Sequence, residues 1–272
     1  MTPCAAYRLP GAKPHVMGIL NVTPDSFSDG GQHATRDAAL AHARQLVEEG
    51  ADIIDIGAES TRPGAAPVSQ QDEWARLEQI ISPVAALGLP VSIDTYKAEI
   101  ARRACAAGAV IINDVWGLQK DPAMPDVVAE TGAHVIMMHN RLEVDASLDI
   151  LSDIDRFLEK SMDLADRAGI PRDKQILDPG YGFGKTMDQN FLILNRQDEL
   201  QKHGLPILAG ASRKRMIGAA LNAETGERLY GSLAFHLLAM QKGAGLVRVH
   251  DVRPHADAAK IVAAMVQEKI TK

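Results

Sequence analysis

Residues 18–31 read GILNVTPDSFSDGG. With Val16 and Met17 in front, the stretch opens as a short apolar run over 16–20, the pattern of a strand buried on both faces. It then breaks into Asn21, Thr23, Pro24, Asp25, Ser26, Ser28, Asp29 and a glycine pair, all residues of turns. One such turn is commonplace. Its weight comes from recurrence along the chain.

The same unit returns as ADIIDIGA (51–58) running into Glu59 and 60–64, PVSID (90–94), VIIND (110–114), HVIMMH (134–139), QILD (175–178), PILA (206–209) and LVRVH (246–250). Amphipathic helical patterns fill the intervals, over 37–49, 69–87, 97–107, 123–130, 148–168, 187–203, 231–242 and 255–268, with a short extra helix running to about 221. Strict strand–helix alternation implies a parallel sheet. Eight units in 272 residues imply closure into a single (β/α)8 barrel of the TIM type, with long loops after the first two strands. An open doubly wound sheet is the rival architecture. No composition shift marks a linker, so the expected organisation is an N-terminal tail over 1–14 and one barrel domain over 15–272.

Composition narrows the class of function. A net charge of −6 argues against binding nucleic acid or a membrane surface through bulk charge, so an anionic ligand needs local basic residues. Cys4 and Cys105 are far apart and form no ligand-spaced pair, which fits a reducing compartment and a cytoplasmic protein. No apolar run approaches the roughly 20 residues of a membrane helix, and residues 1–14 lack the apolar core of a secretory signal.

A (β/α)8 barrel keeps its active site at the C-terminal ends of the strands. There the chain carries Asn21, the 59–64 loop, Asp94, Asn113, His139, Asp178, Ser212 to Lys214, Arg248 and His250. Any one alone is an ordinary capped turn or a satisfied buried polar group. As a set they demand more, because gathering ionisable groups at one mouth costs desolvation that a packed core avoids. The set divides by chemistry. Asp94, Asn113 and Asp178 are acceptors suited to a flat nitrogen heterocycle with N–H and amino groups on one edge, and Lys214 is a donor for a ring carbonyl or nitrogen. Asn21, Thr61, Arg62, Arg248 and His250 suit a phosphorylated group. There is no phosphate-binding glycine motif of the ATP or dinucleotide type, and no HExxH or Cys/His zinc pattern. Asn21 offers a neutral oxygen to a Mg²⁺ held mainly by phosphate and water.

Taken together, the strings GILNVTPDSFSDGG (18–31), ADIIDIGAESTRPGA (51–65), VSIDTYKAEIARRACAAGA (91–109), INDVWG (112–117), ILDPGYGFGKT (176–186), GASRKRMIG (210–218) and VRVHDV (247–252) resemble the bacterial dihydropteroate synthases across nearly the whole chain. That resemblance implies a transferase of folate biosynthesis, the sulfonamide target. It would join 4-aminobenzoate to 6-hydroxymethyl-7,8-dihydropterin diphosphate and release pyrophosphate. It assigns the pterin pocket to Asp94, Asn113, Asp178, Lys214 and Met138, and the Mg²⁺ contact to Asn21. Diphosphate falls to Thr61, Arg248 and His250, and the aminobenzoate enclosure to Phe27, Arg62, Pro63 and Phe183. Lys214, Asp94, Asp178 and Arg248 are the expected catalytic residues, and a homodimer is implied, with the apolar run 233–240 as a possible face. The chain departs from the family pattern at Arg215, where serine is common, at Ala58, where glycine is usual, and at His139-Asn140-Arg141, where only Met138 is assigned a role. The rival readings are a pterin-binding methyltransferase-type barrel and a non-catalytic pterin-binding paralogue.

Overall fold

The computed structural model describes residues 13–22, 31–59 and 67–268. Eight strands form one closed parallel barrel in chain order: β1 (His15–Asn21), β2 (Ile53–Gly57), β3 (Val91–Asp94), β4 (Ile111–Asp114), β5 (His134–Met138), β6 (Gln175–Asp178), β7 (Ile207–Ala209) and β8 (Ala244–Val249), which pairs back onto β1. The barrel predicted from strand–helix alternation is the fold. The tail at 1–12 and the loop residues 23–30 and 60–66 lie outside the described residues.

The strands look continuously apolar because alternate positions serve two different cores. Met17, Ile53, Ile111, Ile136, Ile176, Leu208 and Leu246 point inward and form a plug that fills the barrel. Their neighbours, among them Ile54, Val91, Ile112, Val135, Leu177, Ile207 and Val247, point outward against the helices. This alternation also aims the site. Two residues beyond the plug, the next inward positions are Asp55, Asn113, Met138, Asp178 and Arg248.

The surrounding helices are α1 (Gly31–Glu48), α2 (Gln70–Leu77), α3 (Ile81–Ala85), α4 (Ala98–Ala106), α5 (Met124–Thr131), α6 (Ile150–Arg167), α7 (Met187–Asn195), α8 (Arg215–Leu221), α9 (Leu229–Gln241) and α10 (Val252–Gln267). The single helix expected over 69–87 is two. Pro83 has no N–H for the carbonyl four residues back, so the chain breaks after Leu77 and restarts at Ile81. The helix expected over 187–203 stops at Asn195 and continues as a 3-10 segment, Gln197–His203. Its start is firm: Thr186 and Gln189 form a reciprocal capping box. Among the described residues no helix is long and apolar enough to cross a membrane.

Candidate active site

The C-terminal rim of the barrel gathers the acceptor residues. Asp94 and Asn113 are register partners on β3 and β4, and Met138 and Asp178 are register partners on β5 and β6. All four are buried. Arg248, rising from β8, joins Asp94 directly and Asn113 through Asp55. Its Nη2 donates to Asp94 Oδ2 at 2.7 Å and its Nε to Asp55 Oδ2 at 2.6 Å, while Asn113 Nδ2 donates to the same Asp55 oxygen at 3.3 Å. Burial works against the guanidinium charge, but the Asp55 and Asp94 carboxylates outweigh it and hold Arg248 above its ordinary value. Asp94 is pushed up to about 7, chiefly by burial, with Arg248 pulling the other way. Among the described residues Asp55 Oδ1 and Asp94 Oδ1, both buried, have no hydrogen-bond partner, which costs free energy unless a ligand donates to them.

Across the mouth, a Cβ on Gly210 would lie 3.8 Å from Arg248 Cβ and 3.9 Å from Asp178 Oδ2, so the bare backbone of Gly210 lies between these two groups. Asp178 Oδ1 accepts from the Gly180 N–H at 2.7 Å. Burial raises the Asp178 carboxyl, and Lys214 opposes that rise. Lys214, the N-cap of α8, sends its Nζ to the Tyr181 carbonyl at 2.5 Å and sits 4.4 Å over the Phe183 ring. Burial pulls this ammonium down to about 8, with Asp178 countering. The residue before it, Arg213, has φ 56°, a left-handed conformation that is costly for a long side chain. It is held by the Ser232 hydroxyl on its N–H (2.9 Å), by Arg228 on its carbonyl (3.1 Å) and by a forked pair with Asp251 at 2.5 and 2.9 Å. Strain fixed this firmly sets where Lys214 begins.

Of the residues expected to meet a phosphorylated group, Asn21, Arg248 and His250 are among the described residues. His250 Nδ1 is 3.0 Å from Ser212 Oγ, which also accepts from the His250 backbone N–H at 3.2 Å. A hydroxyl that accepts from the backbone still has its proton to give to Nδ1, and a neutral ring paired in that way carries its own proton on Nε2. Burial, reinforced by Arg248, pushes His250 down to about 4, so it is a neutral donor. A cavity of about 430 Å³ is lined by Asn21, Ile19, His42, Arg213, His250 and Arg253. It covers this half of the rim; the acceptor residues are not in its lining. Among the described residues no group of three His, Cys, Asp or Glu could hold a metal. The donor set at this end is one neutral amide oxygen, Asn21, which fits a Mg²⁺ whose other ligands are substrate phosphate and water.

Phe27, Thr61, Arg62 and Pro63 lie outside the described residues. Four residues that the sequence reading left without a role are built into the site. Asp55 orients Arg248, Ser212 holds the His250 ring, and Lys185 with His139 supports the turn after β6. Asp55 had a signal: it is the charged residue inside the otherwise apolar stretch IIDIG, two positions after the inward-facing Ile53. Arg215, flagged as a departure, is exposed at the first position of α8.

The chain matches the family model described as pterin binding enzyme over residues 17–250. It is 47% identical over 254 residues to the dihydropteroate synthase of Bacillus subtilis, covering 93% of this chain and 89% of that protein. Among solved structures, dihydropteroate synthase from Clostridium difficile in the presence of pteroic acid superposes with a TM-score of 0.91 at 44% identity, covering 94% of this chain and 98% of that one. The Xanthomonas albilineans enzyme with 4-aminobenzoic acid superposes with a TM-score of 0.89 at 46% identity, covering 93% of each chain. With a pocket of acceptors joined through Arg248, and with this degree of likeness along almost its whole length, the chain belongs to the pterin-binding enzymes and, within them, to the dihydropteroate synthases.

Proposed function

We propose that the chain condenses 6-hydroxymethyl-7,8-dihydropterin diphosphate with 4-aminobenzoate, giving 7,8-dihydropteroate and pyrophosphate, and that its rim residues divide the work as follows. Asp178 and Asn113 take the amino-amide edge of the pterin, Lys214 donates to the ring, and Met138 packs on its face. Asp94, with an unpartnered oxygen, accepts from the far side of the ring. The observation that carries the reading is Arg248 bridging Asp55 and Asp94 beside the neutral donor His250, because it joins a heterocycle pocket to an anion cradle.

When the C–O bond to the diphosphate breaks, negative charge grows on the leaving group and positive charge on the pterin. Arg248 and the His250 Nε2–H answer the first, and the Asp94 and Asp178 carboxylates answer the second. The amine nitrogen then bonds the exposed methylene carbon and sheds a proton. Asn21 would hold Mg²⁺, which would supply charge neutralisation on the diphosphate when bound. Thr61 supports the diphosphate, and Phe27, Arg62, Pro63 and Phe183 enclose aminobenzoate and keep water from the cation.

The enzyme acts in the cytoplasm as a homodimer. The run 233–240 is mostly core, but Leu238 is exposed, and Leu221, Tyr230, Phe191 and Leu192 add outward apolar surface on α7, α8 and α9. Sedimentation of the purified chain tests that assembly. The activity is tested by pyrophosphate release with both substrates present; no release would remove the assignment. Asp178→Asn should weaken pterin binding about 10- to 100-fold, because an amide cannot give two acceptors and a charge-assisted bond is worth about 1.5–3 kcal/mol. Unchanged affinity by calorimetry would contradict the pocket.

A further inference from the structure

Behind the pterin pocket lies a buried cation that the proposed chemistry does not use. Lys185 is 4% exposed, and its Nζ has three neighbours: His139 Nδ1 at 2.8 Å, the Gly180 carbonyl at 2.7 Å and the Phe183 carbonyl at 3.0 Å. The His139 ring, fully buried, faces Asp153 Oδ2 through Nε2 at 3.2 Å, and Arg141 donates to that same carboxylate oxygen at 2.8 Å. A carboxylate only accepts, so His139 carries its proton on Nε2 and offers Nδ1 as an acceptor. All three neighbours of Nζ are therefore acceptors. An ammonium has three N–H groups and satisfies every one; a neutral amine has two and would set its lone pair against the third.

Both carbonyls belong to the turn that follows Asp178. Gly180 accepts from Lys185 with its carbonyl and donates its N–H to Asp178 Oδ1 at 2.7 Å. Tyr181, one residue on, presents the carbonyl that receives Lys214, and Phe183 presents the ring beneath the Lys214 ammonium. Gly180 takes φ 69°, and a Cβ there would collide with the His139 carbonyl, so the turn is pressed onto the end of β5. Lys185 sits at the centre of this contact and pins the turn from below.

We propose that Lys185 is a positioning residue for pterin recognition: its buried ammonium fixes the Gly180–Phe183 turn, which supplies the N–H that Asp178 accepts and the carbonyl that receives Lys214. The inference rests on the reading of Asp178 as the pterin acceptor. The charges facing Lys185 are Asp178 on β6, Asp153 on α6, Arg141 on the loop after β5 and Lys214 on the loop after β7. Burial pulls the ammonium down to about 7, and Asp178 pulls it back up. The rise of Asp178 is opposed first by Lys214, then by the Gly180 N–H and Lys185, so Lys185 and Asp178 each favour the other's charged state.

The test is a calorimetric titration of wild type, Lys185→Met and Asp178→Asn with 6-hydroxymethylpterin from pH 5 to 9, each variant first checked for a cooperative melt. Lys185→Met should bind about tenfold more weakly at pH 7, with its acid midpoint raised as Asp178 protonates more easily. A folded Lys185→Met variant with the wild-type affinity and midpoint overturns the proposal. In parallel, ¹⁵N-lysine spectra of the wild-type enzyme and Asp178→Asn follow the Lys185 amine directly, which covers the case in which Lys185→Met does not fold. The proposal requires a Lys185 titration midpoint that falls in Asp178→Asn. A midpoint indifferent to Asp178 overturns it. Undiminished pterin binding by Asp178→Asn strikes the pocket assignment instead, so the two failures are separable.

Discussion

Arg248 stands between two carboxylates, and that geometry makes the site sensitive to pH. Asp94, raised to about 7 by burial and by nearby Asp55, Glu73 and Asp114, with Arg248 opposing, sits well above the ordinary carboxyl value of about 4. A carboxyl raised by folding stabilises the protein most below the unfolded value, and that contribution is lost as pH rises through the folded value. The ligand-free enzyme should therefore lose stability between about pH 4 and 7 on account of Asp94, by an amount on the order of 2–4 kcal/mol. Asp94→Asn removes that titration. Its urea midpoint should vary less with pH across this window than the wild type's, and parallel curves would show that Asp94 is not the group responsible. The same substitution should weaken pterin binding, since the orphaned Asp94 oxygen is an acceptor waiting for a donor.

At the scale of elements, the second loop is anchored by an ion-pair network that no short motif announces. Lys97, at the N-terminus of α4, pairs with Glu59 after β2 and with Glu73 on α2, the latter at 2.5 Å. Glu59 also accepts from the Tyr96 hydroxyl at 3.0 Å and from the Val68 N–H at 3.2 Å, so one carboxylate joins the two described ends of that loop. The side chains of Lys97, Glu59 and Glu73 are 11%, 8% and 1% exposed, which makes the network a buried one. Lys97→Met would strand two carboxylates and should destabilise the fold by about 3–5 kcal/mol. Adding Glu59→Gln and Glu73→Gln should recover part of the loss, read as melting temperature; no recovery would mean that packing of the Lys97 stem, and not its charge, carried the effect. The helix start expected at 187 is where α7 begins, fixed by the Thr186 cap. The break between α2 and α3 was missed because Pro83 was read inside an otherwise helical pattern.

For the whole molecule, closure of the barrel is what couples distant residues. Arg248 and Asp55 are 193 positions apart yet 2.6 Å from each other, because β8 pairs with β1 and β1 with β2. The plug beneath them draws on seven of the eight strands at once. Ile111→Ala, at a fully buried plug position, should cost about 2–5 kcal/mol by opening a cavity that the closed sheet cannot collapse to fill. A chemical denaturation midpoint equal to wild type would show that the barrel does adapt there.

The order of strands and helices, the closed parallel architecture and the polar tip of each strand were determined by the sequence alone, because period, turn residues and unit count act locally and add up. The pairing of particular tips was not. Which inward position on β2 would meet which on β8 depends on the stagger of the closed sheet, so Asp55 became the partner of Arg248 only through the barrel's register. The protonation states of Asp94, Lys185 and His250 were likewise left to the tertiary structure. They follow from burial and from charges on other strands and loops, and those distances exist only once the barrel has closed.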